Sequence, residues 1–226
     1  MMARPVSFIK SHIIAILLTC CATLVLVAAS IKSKGQGASP ADAQALARVD
    51  WMPKNQTGML NVNANEGAFL RDQVLKVKAR HALEVGTSNG YSSIWIAMGV
   101  RQTGGHLTTL EIDERKVKLA TENFRVAGVD SLITLRPGDA LKTLPTLEGP
   151  FEFVFIDAWK GDYITYLDMV LPKMPAGGVI VAHNVTDLRS QLLDFIERVK
   201  TDPRLKTTFA DSGPGGFSVS VKLPAK

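Results

Sequence analysis

At 226 residues, with a formal net charge of +5 and 46% hydrophobic residues, the chain is too apolar for a disordered polyelectrolyte and too short for several domains. Its 26 Lys and Arg are spread along the sequence rather than clustered, so the charge reads as solvated surface and no nucleic-acid partner is expected. Both cysteines, Cys20 and Cys21, fall in one apolar run near the start, which leaves the rest of the chain without disulfide or thiol-metal chemistry.

That run, residues 13–31, carries no charge, and as a helix rising ~1.5 Å per residue it spans roughly 28 Å, close to the thickness of a bilayer core. Arg4 and Lys10 before it, and Val27, Ala28 and Ala29 near its end, also fit a cleaved signal peptide with a secreted or periplasmic product. Secretory apolar regions are usually only about 7 to 15 residues long, so the favoured reading is a retained single-pass N-terminal anchor over 1–31 and a membrane location. Lys32 and Lys34 balance Arg4 and Lys10, which leaves orientation open. Residues 32–50, rich in Gly, Ser and Ala before turning helical, read as a linker, and 51–226 as the folded domain.

Within that domain short apolar runs alternate with amphipathic stretches. HALEVG (81–86) leads to YSSIWIAMGV (91–100), HLTTLEI (106–112) to ERKVKLATENFRVAG (114–128), then ITLRPGD (133–139). FEFVFID (151–157) precedes YITYLDMVL (163–171), and GGVIVAHN (177–184) precedes LRSQLLDFIERVK (188–200). This is the rhythm of βα units, and it predicts an α/β fold with a mostly parallel, doubly wound, Rossmann-like sheet. Two alternating segments around Gly213, Pro214, Gly215 and Gly216 predict a C-terminal antiparallel hairpin. Ligands of such sheets bind at the carboxyl ends of the strands, so the residues just after each strand are the candidates for a site.

The first strand ends in Glu84, Val85, Gly86, Thr87, Ser88, Asn89 and Gly90, a glycine turn that admits a ligand to the backbone. Ser88 stands where a dinucleotide fingerprint needs glycine, which disfavours NAD and a nicotinamide oxidoreductase. Glu111, ending the second strand, is placed to accept from both hydroxyls of a ribose. Glu84, an acid inside an apolar strand, needs a partner such as the ammonium of a zwitterionic ligand. Together they point to an amino acid joined to a nucleoside. Asp139 and Ala140 end the third strand, where Asp139 either receives an adenine amine or caps a helix. After the fourth strand come Asp157, Ala158, Trp159 and Lys160, and after the fifth His183 and Asn184. Methyl transfer from a sulfonium to a hydroxyl needs in-line approach and a deprotonated oxygen, which a metal on Asp157 and Asn184, or Lys160 as base, would provide.

These residues resemble the cation-dependent O-methyltransferase family, which includes catechol and caffeoyl-CoA O-methyltransferases. LNVNANEGAFL, ALEVGTSNGYSS, TLEID, PGDAL, FIDAWKGDY and GGVIVAHNV stand in that family's order between about Met59 and Lys222. The resemblance implies a seven-stranded sheet, S-adenosyl-L-methionine as cofactor and a small hydroxylated, catechol-like or phenolic acceptor. It places Val62 over the cofactor, Glu84, Gly86, Thr87, Tyr91 and Ser92 at its methionine part, Glu111 at the ribose, and Asp139 and Ala140 by the adenine. It implies that Asp157 serves both metal and cofactor, that Lys160 is the catalytic lysine, that Tyr163 supports its loop, and that a homodimer forms. One departure matters: the family has Asp-Asn where this chain has His183-Asn184. An imidazole disfavours magnesium and shifts preference toward manganese, iron or zinc. Three outcomes stay open for Asp157, His183 and Asn184: a softer ion, weak magnesium, or His183 as a base with no metal. Methylation of a hydroxylated tRNA base and a catalytically silent cofactor-binding protein are the alternative functions. Trp51 and Trp159 are candidates for stacking a flat acceptor.

Overall fold

In the computed structural model, which describes residues 39–225, the parallel strands are β1 (His81–Val85), β2 (His106–Glu111), β3 (Ile133–Pro137), β4 (Phe153–Ile156) and β5 (Val179–His183). Strands β6 (Leu205–Ala210) and β7 (Phe217–Lys222) form the expected hairpin, and β7 pairs antiparallel with β5. The seven-stranded order is β3-β2-β1-β4-β5-β7-β6. The Rossmann-like sheet inferred from the βα rhythm is therefore the one that forms.

The period of two explains why both faces are covered. Ala82, Phe153, Phe155, Val179 and Val181 enter one apolar cluster, while Leu83, Val85, Val154, Ile156, Ile180 and Ala182 enter the other. Helices α1 (Pro40–Asn55), α2 (Ala64–Lys76), α3 (Tyr91–Thr103) and α4 (Glu114–Ala127) pack on the first. After the single turn α5 (Ala140–Thr143), helices α6 (Tyr163–Val170) and α7 (Leu193–Thr201) cover the second. From β1 the chain moves outward through β2 to β3, then returns to β4 on the other side of β1. The order thus reverses between β1 and β4, and a crevice opens where their carboxyl ends part.

Two expectations are corrected. Residues 40–50 belong to α1 rather than to a free linker: Ala45, Val49 and Met52 share one buried face, and Arg48 donates to Asn123 Oδ1 at 3.0 Å and, from its second nitrogen, at 2.5 Å. The expected single-pass membrane placement does not stand either. Among the described residues no helix is long and apolar enough to cross a membrane. The apolar run at 13–31, whether read as anchor or signal, lies outside the described residues.

Candidate active site

The turn after β1 and the loop after β4 are in contact, and glycine is what allows it. A Cβ on Gly86 would lie 2.1 Å from the Asp157 carbonyl oxygen, and its φ of +102° is one that side-chain-bearing residues rarely adopt. Ser88 is left-handed as well (φ 50°), as is Gly90 (φ 87°) at the N-cap of α3. This path aims the Ser88 N–H at Glu111 Oε2 (2.7 Å), while the Asp113 N–H donates to Oε1 (2.9 Å). Each Glu111 oxygen keeps a further lone pair, so its carboxylate is oriented yet still able to accept from a ribose diol.

Glu84 is placed differently from the sequence expectation. It is 0% exposed, and its Oε1 accepts from the Ser92 hydroxyl at 2.6 Å, while Oε2 accepts from Thr109 at 2.6 Å and from Ser93. Ser92 and Glu84 thus satisfy each other inside the sheet–helix interface instead of presenting themselves to an ammonium. Thr109 has committed its hydrogen to Glu84, so in its 2.6 Å contact with Thr87 the donor is Thr87. Burial pushes the Glu84 pKa up to about 7 against the opposing pull of the three hydroxyls.

A pH dependence follows from that shift. Since the unfolded carboxyl titrates near its ordinary value of 4.5 and the folded one near 7, the folded state holds the extra proton in between. The Glu84 contribution is complete below the unfolded pKa and is lost as pH rises through the folded one. Glu84→Gln is expected to remove a fall in unfolding free energy of order 3 kcal/mol between acidic and neutral pH. Urea denaturation of wild type and variant at both pH values reads it; parallel pH profiles would refute it.

The remaining cofactor candidates are dispersed around the same edge. Val62 (3% exposed) and Tyr91 (4%) are part of the first apolar cluster. Asp139 and Ala140 are half-buried at the start of α5, and the helix-cap alternative for Asp139 is realised: its Oδ1 accepts from the Leu141 N–H at 2.9 Å.

At the carboxyl ends of β4 and β5, Asp157, Lys160, Tyr163 and His183 are linked. Lys160 Nζ donates to Asp157 Oδ1 and to the Tyr163 hydroxyl, both at 2.9 Å, and Tyr163 in turn faces the His183 carbonyl at 3.5 Å. Tyr163 does more than brace the loop. It is fully buried, edge-on to Phe195, and burial followed by the nearby Asp157 charge holds its pKa well above the usual 10. The other Asp157 oxygen, Oδ2, is 3.2 Å from His183 Nδ1. Burial acts to raise the Asp157 pKa, but the His183 hydrogen bond and the Lys160 charge outweigh it, and the net shift is downward.

Glu66 completes this group and was not singled out from the sequence. It is 2% exposed, its Oε1 lies 3.2 Å from His183 Nε2 and accepts from the Gly215 N–H at 3.2 Å, and its Oε2 accepts from Asn63 at 2.8 Å. The detectable signal was local: Asn63 and Glu66 are a capping box opening α2. Its meeting with His183, 117 positions away, is purely tertiary. For His183 burial presses the pKa down, but the hydrogen bonds and charges of Asp157 and Glu66 prevail and the pKa is raised above 6.5.

The three residues expected to hold a metal do not fit one as placed. Both ring nitrogens of His183 face carboxylates, both oxygens of Asp157 face nitrogens of Lys160 and His183, and Asn184 (φ 64°) turns its amide toward Asp187, 3.1 Å from each oxygen. Among the described residues no group of three His, Cys, Asp or Glu is arranged to bind an ion. Trp159, 75% exposed, stands beside Lys160 in the loop, whereas Trp51 lies under the Arg48 guanidinium, 4.0 Å from its ring.

A family model described as O-methyltransferase matches residues 38–215. A catechol O-methyltransferase of Mycobacterium tuberculosis (strain ATCC 25618 / H37Rv) is 39% identical over 150 residues, covering 66% of this chain and 66% of that protein. A catechol O-methyltransferase of Niastella koreensis is 38% identical over 130 residues, covering 56% of this chain and 58% of its own length. The matches therefore span just under two thirds of the first relative and less of the second. Among solved structures, an O-methyltransferase from Bacillus cereus in complex with SAH superposes with a TM-score of 0.69 at 27% identity, over 87% of this chain and 97% of that one. The O-methyltransferase TomG from Streptomyces achromogenes, in complex with SAM, gives a TM-score of 0.71 at 27% identity, over 88% and 96%.

Proposed function

This chain belongs to the O-methyltransferase family of S-adenosylmethionine-dependent enzymes, and from that premise we propose that it methylates a hydroxyl of a small phenolic, catechol-like acceptor. The observation that carries the reading is the Asp157–Lys160–Tyr163 chain lying against the Gly86 turn, where the strand order reverses. S-adenosylmethionine supplies an electrophilic methyl group on a sulfonium. Glu111 accepts from the ribose hydroxyls; Gly86 and Thr87 line the approach of the methionine part; Val62 and Tyr91 pack around it; and Asp139 with Ala140 borders the adenine.

Lys160 is the base. Its amine takes the acceptor's hydroxyl proton, so that the freed oxygen would accept the methyl group the bound cofactor supplies, with the neutral thioether as leaving group. Asp157, 2.9 Å from Nζ, then stabilises the ammonium that has formed, and Tyr163 fixes the lysine's direction. Trp159 offers the acceptor ring an exposed flat face. The relatives named for catechol support this acceptor class. A homodimer is part of the proposal, and light scattering on the purified chain tests it.

Transfer of labelled methyl from S-adenosylmethionine to a panel of catechols, monophenols and a hydroxylated tRNA tests the acceptor. Turnover confined to catechols is the expected result, and transfer to tRNA alone would overturn the reading. Glu111→Ala is expected to weaken binding of the product thioether, measured by calorimetry, by roughly a hundredfold or more, the loss of about two hydrogen bonds to a charged acceptor.

A further inference from the structure

The cluster of Asp157, Glu66, Lys160 and His183 is closed in its hydrogen bonds. Asp157 directs one oxygen to Lys160 and the other to His183, and His183 directs its second nitrogen to Glu66. Both ring nitrogens are thus engaged at 3.2 Å, and neither is free to ligate an ion.

We propose that this site works without a divalent ion and that the His183 ring, set between Asp157 and Glu66, occupies the place of the cation. The inference rests on the methyltransferase reading for its activity test but not for its binding test. Asp157 and Glu66 already have nitrogen partners, Lys160 and His183, in a site where side-chain exposure runs from 3% at Glu66 to 17% at Asp157. A divalent ion would have to displace one of those nitrogens from a carboxylate that is shielded from water. Access is closed on the Glu66 side. The loop from Gly213 to Gly216 presses on the ring so closely that a Cβ on Gly215 would lie 2.0 Å from His183 Nε2, and Phe217 packs against it with ring centroids 5.1 Å apart. Asn184, next in sequence, has its amide turned to Asp187.

Replacing the ring by a carboxylate takes that nitrogen partner away from both acids. His183→Asp sets three carboxylates around one lysine, and the cheapest compensation is a bound cation. The experiment is titration of the full chain with Mn²⁺, followed by the spin resonance of free ion, alongside methyl transfer before and after chelation. Wild type is expected to show no saturable Mn²⁺ binding and to keep its rate after chelation. H183D, with its fold verified by circular dichroism, is expected to bind Mn²⁺ on the order of tenfold or more tighter than wild type. Stoichiometric Mn²⁺ in the wild type, or a rate lost on chelation and restored by a divalent ion, would overturn the proposal. So would a folded H183D that binds no better than wild type. If H183D does not fold, the wild-type titration still decides. Absence of methyl transfer to every acceptor would count against the proposed function and leave the Mn²⁺ result standing.

Discussion

Lys160→Ala is expected to lower turnover by about 10²- to 10⁴-fold while leaving affinity for the product thioether near its wild-type value. Lys160 is the side chain hydrogen-bonded to Asp157 Oδ1 and to the Tyr163 hydroxyl, and it sits half-buried at the crevice rather than in the core. Truncation therefore removes a proton acceptor without opening a cavity in either apolar cluster. Lys160→Arg puts a guanidinium, which stays protonated and cannot act as a base, beside Asp157 and should be as slow as the alanine variant. Single-turnover rates with saturating cofactor, beside calorimetric binding of the thioether, separate chemistry from binding. If Lys160→Ala weakened thioether binding as much as it slowed transfer, Lys160 would be part of the cofactor site and not the base.

Gly86→Ala is expected to destabilise the fold by about 4 kcal/mol, a fall in Tm on the order of 8–16 °C. The estimate combines a strained positive φ, about 1–3 kcal/mol, with overpacking of similar size. The added methyl would sit 2.1 Å from the Asp157 carbonyl oxygen and 2.8 Å from its carbonyl carbon, both backbone atoms that cannot swing aside. Whatever relief the chain finds must move the start of the Asp157–Lys160 loop away from the turn after β1. Binding of the thioether should weaken together with stability. Gly177→Ala is the control: it has a positive φ of 84° but nothing within 4 Å of its Cβ, so it carries the backbone strain without the clash. Equal losses in the two variants, read by urea denaturation, would show that strain alone accounts for Gly86.

Much of the site was legible because strand ends in a parallel sheet converge. Once 81–86, 106–112 and 151–157 were recognised as strands, Gly86, Glu111 and Asp157 had to share one edge. Glu84 illustrates the opposite case. An acid in an apolar strand announces that it has a partner, but whether the partner is a ligand or the hydroxyls of Ser92, Ser93 and Thr109 depends on how α3 and β2 lie against it. The start of the domain was misjudged for a related reason. Residues 40–50 have weak amphipathic character, and their helix is held by docking of Ala45, Val49 and Met52 and by the Arg48–Asn123 contacts, none of which is local.

What the sequence by itself determined is the layered α/β sheet, since alternation of apolar residues and turn glycines is a local property, together with the identity of the side chains placed at its crevice. Only the tertiary structure decided what those side chains do to one another. Asp157 and His183 are 26 positions apart, and Glu66 and His183 are 117 apart. Ring orientation, charge balance and room for an ion are set by such distant contacts, because electrostatic energy in a buried site depends on separations of a few ångströms that sequence spacing does not encode.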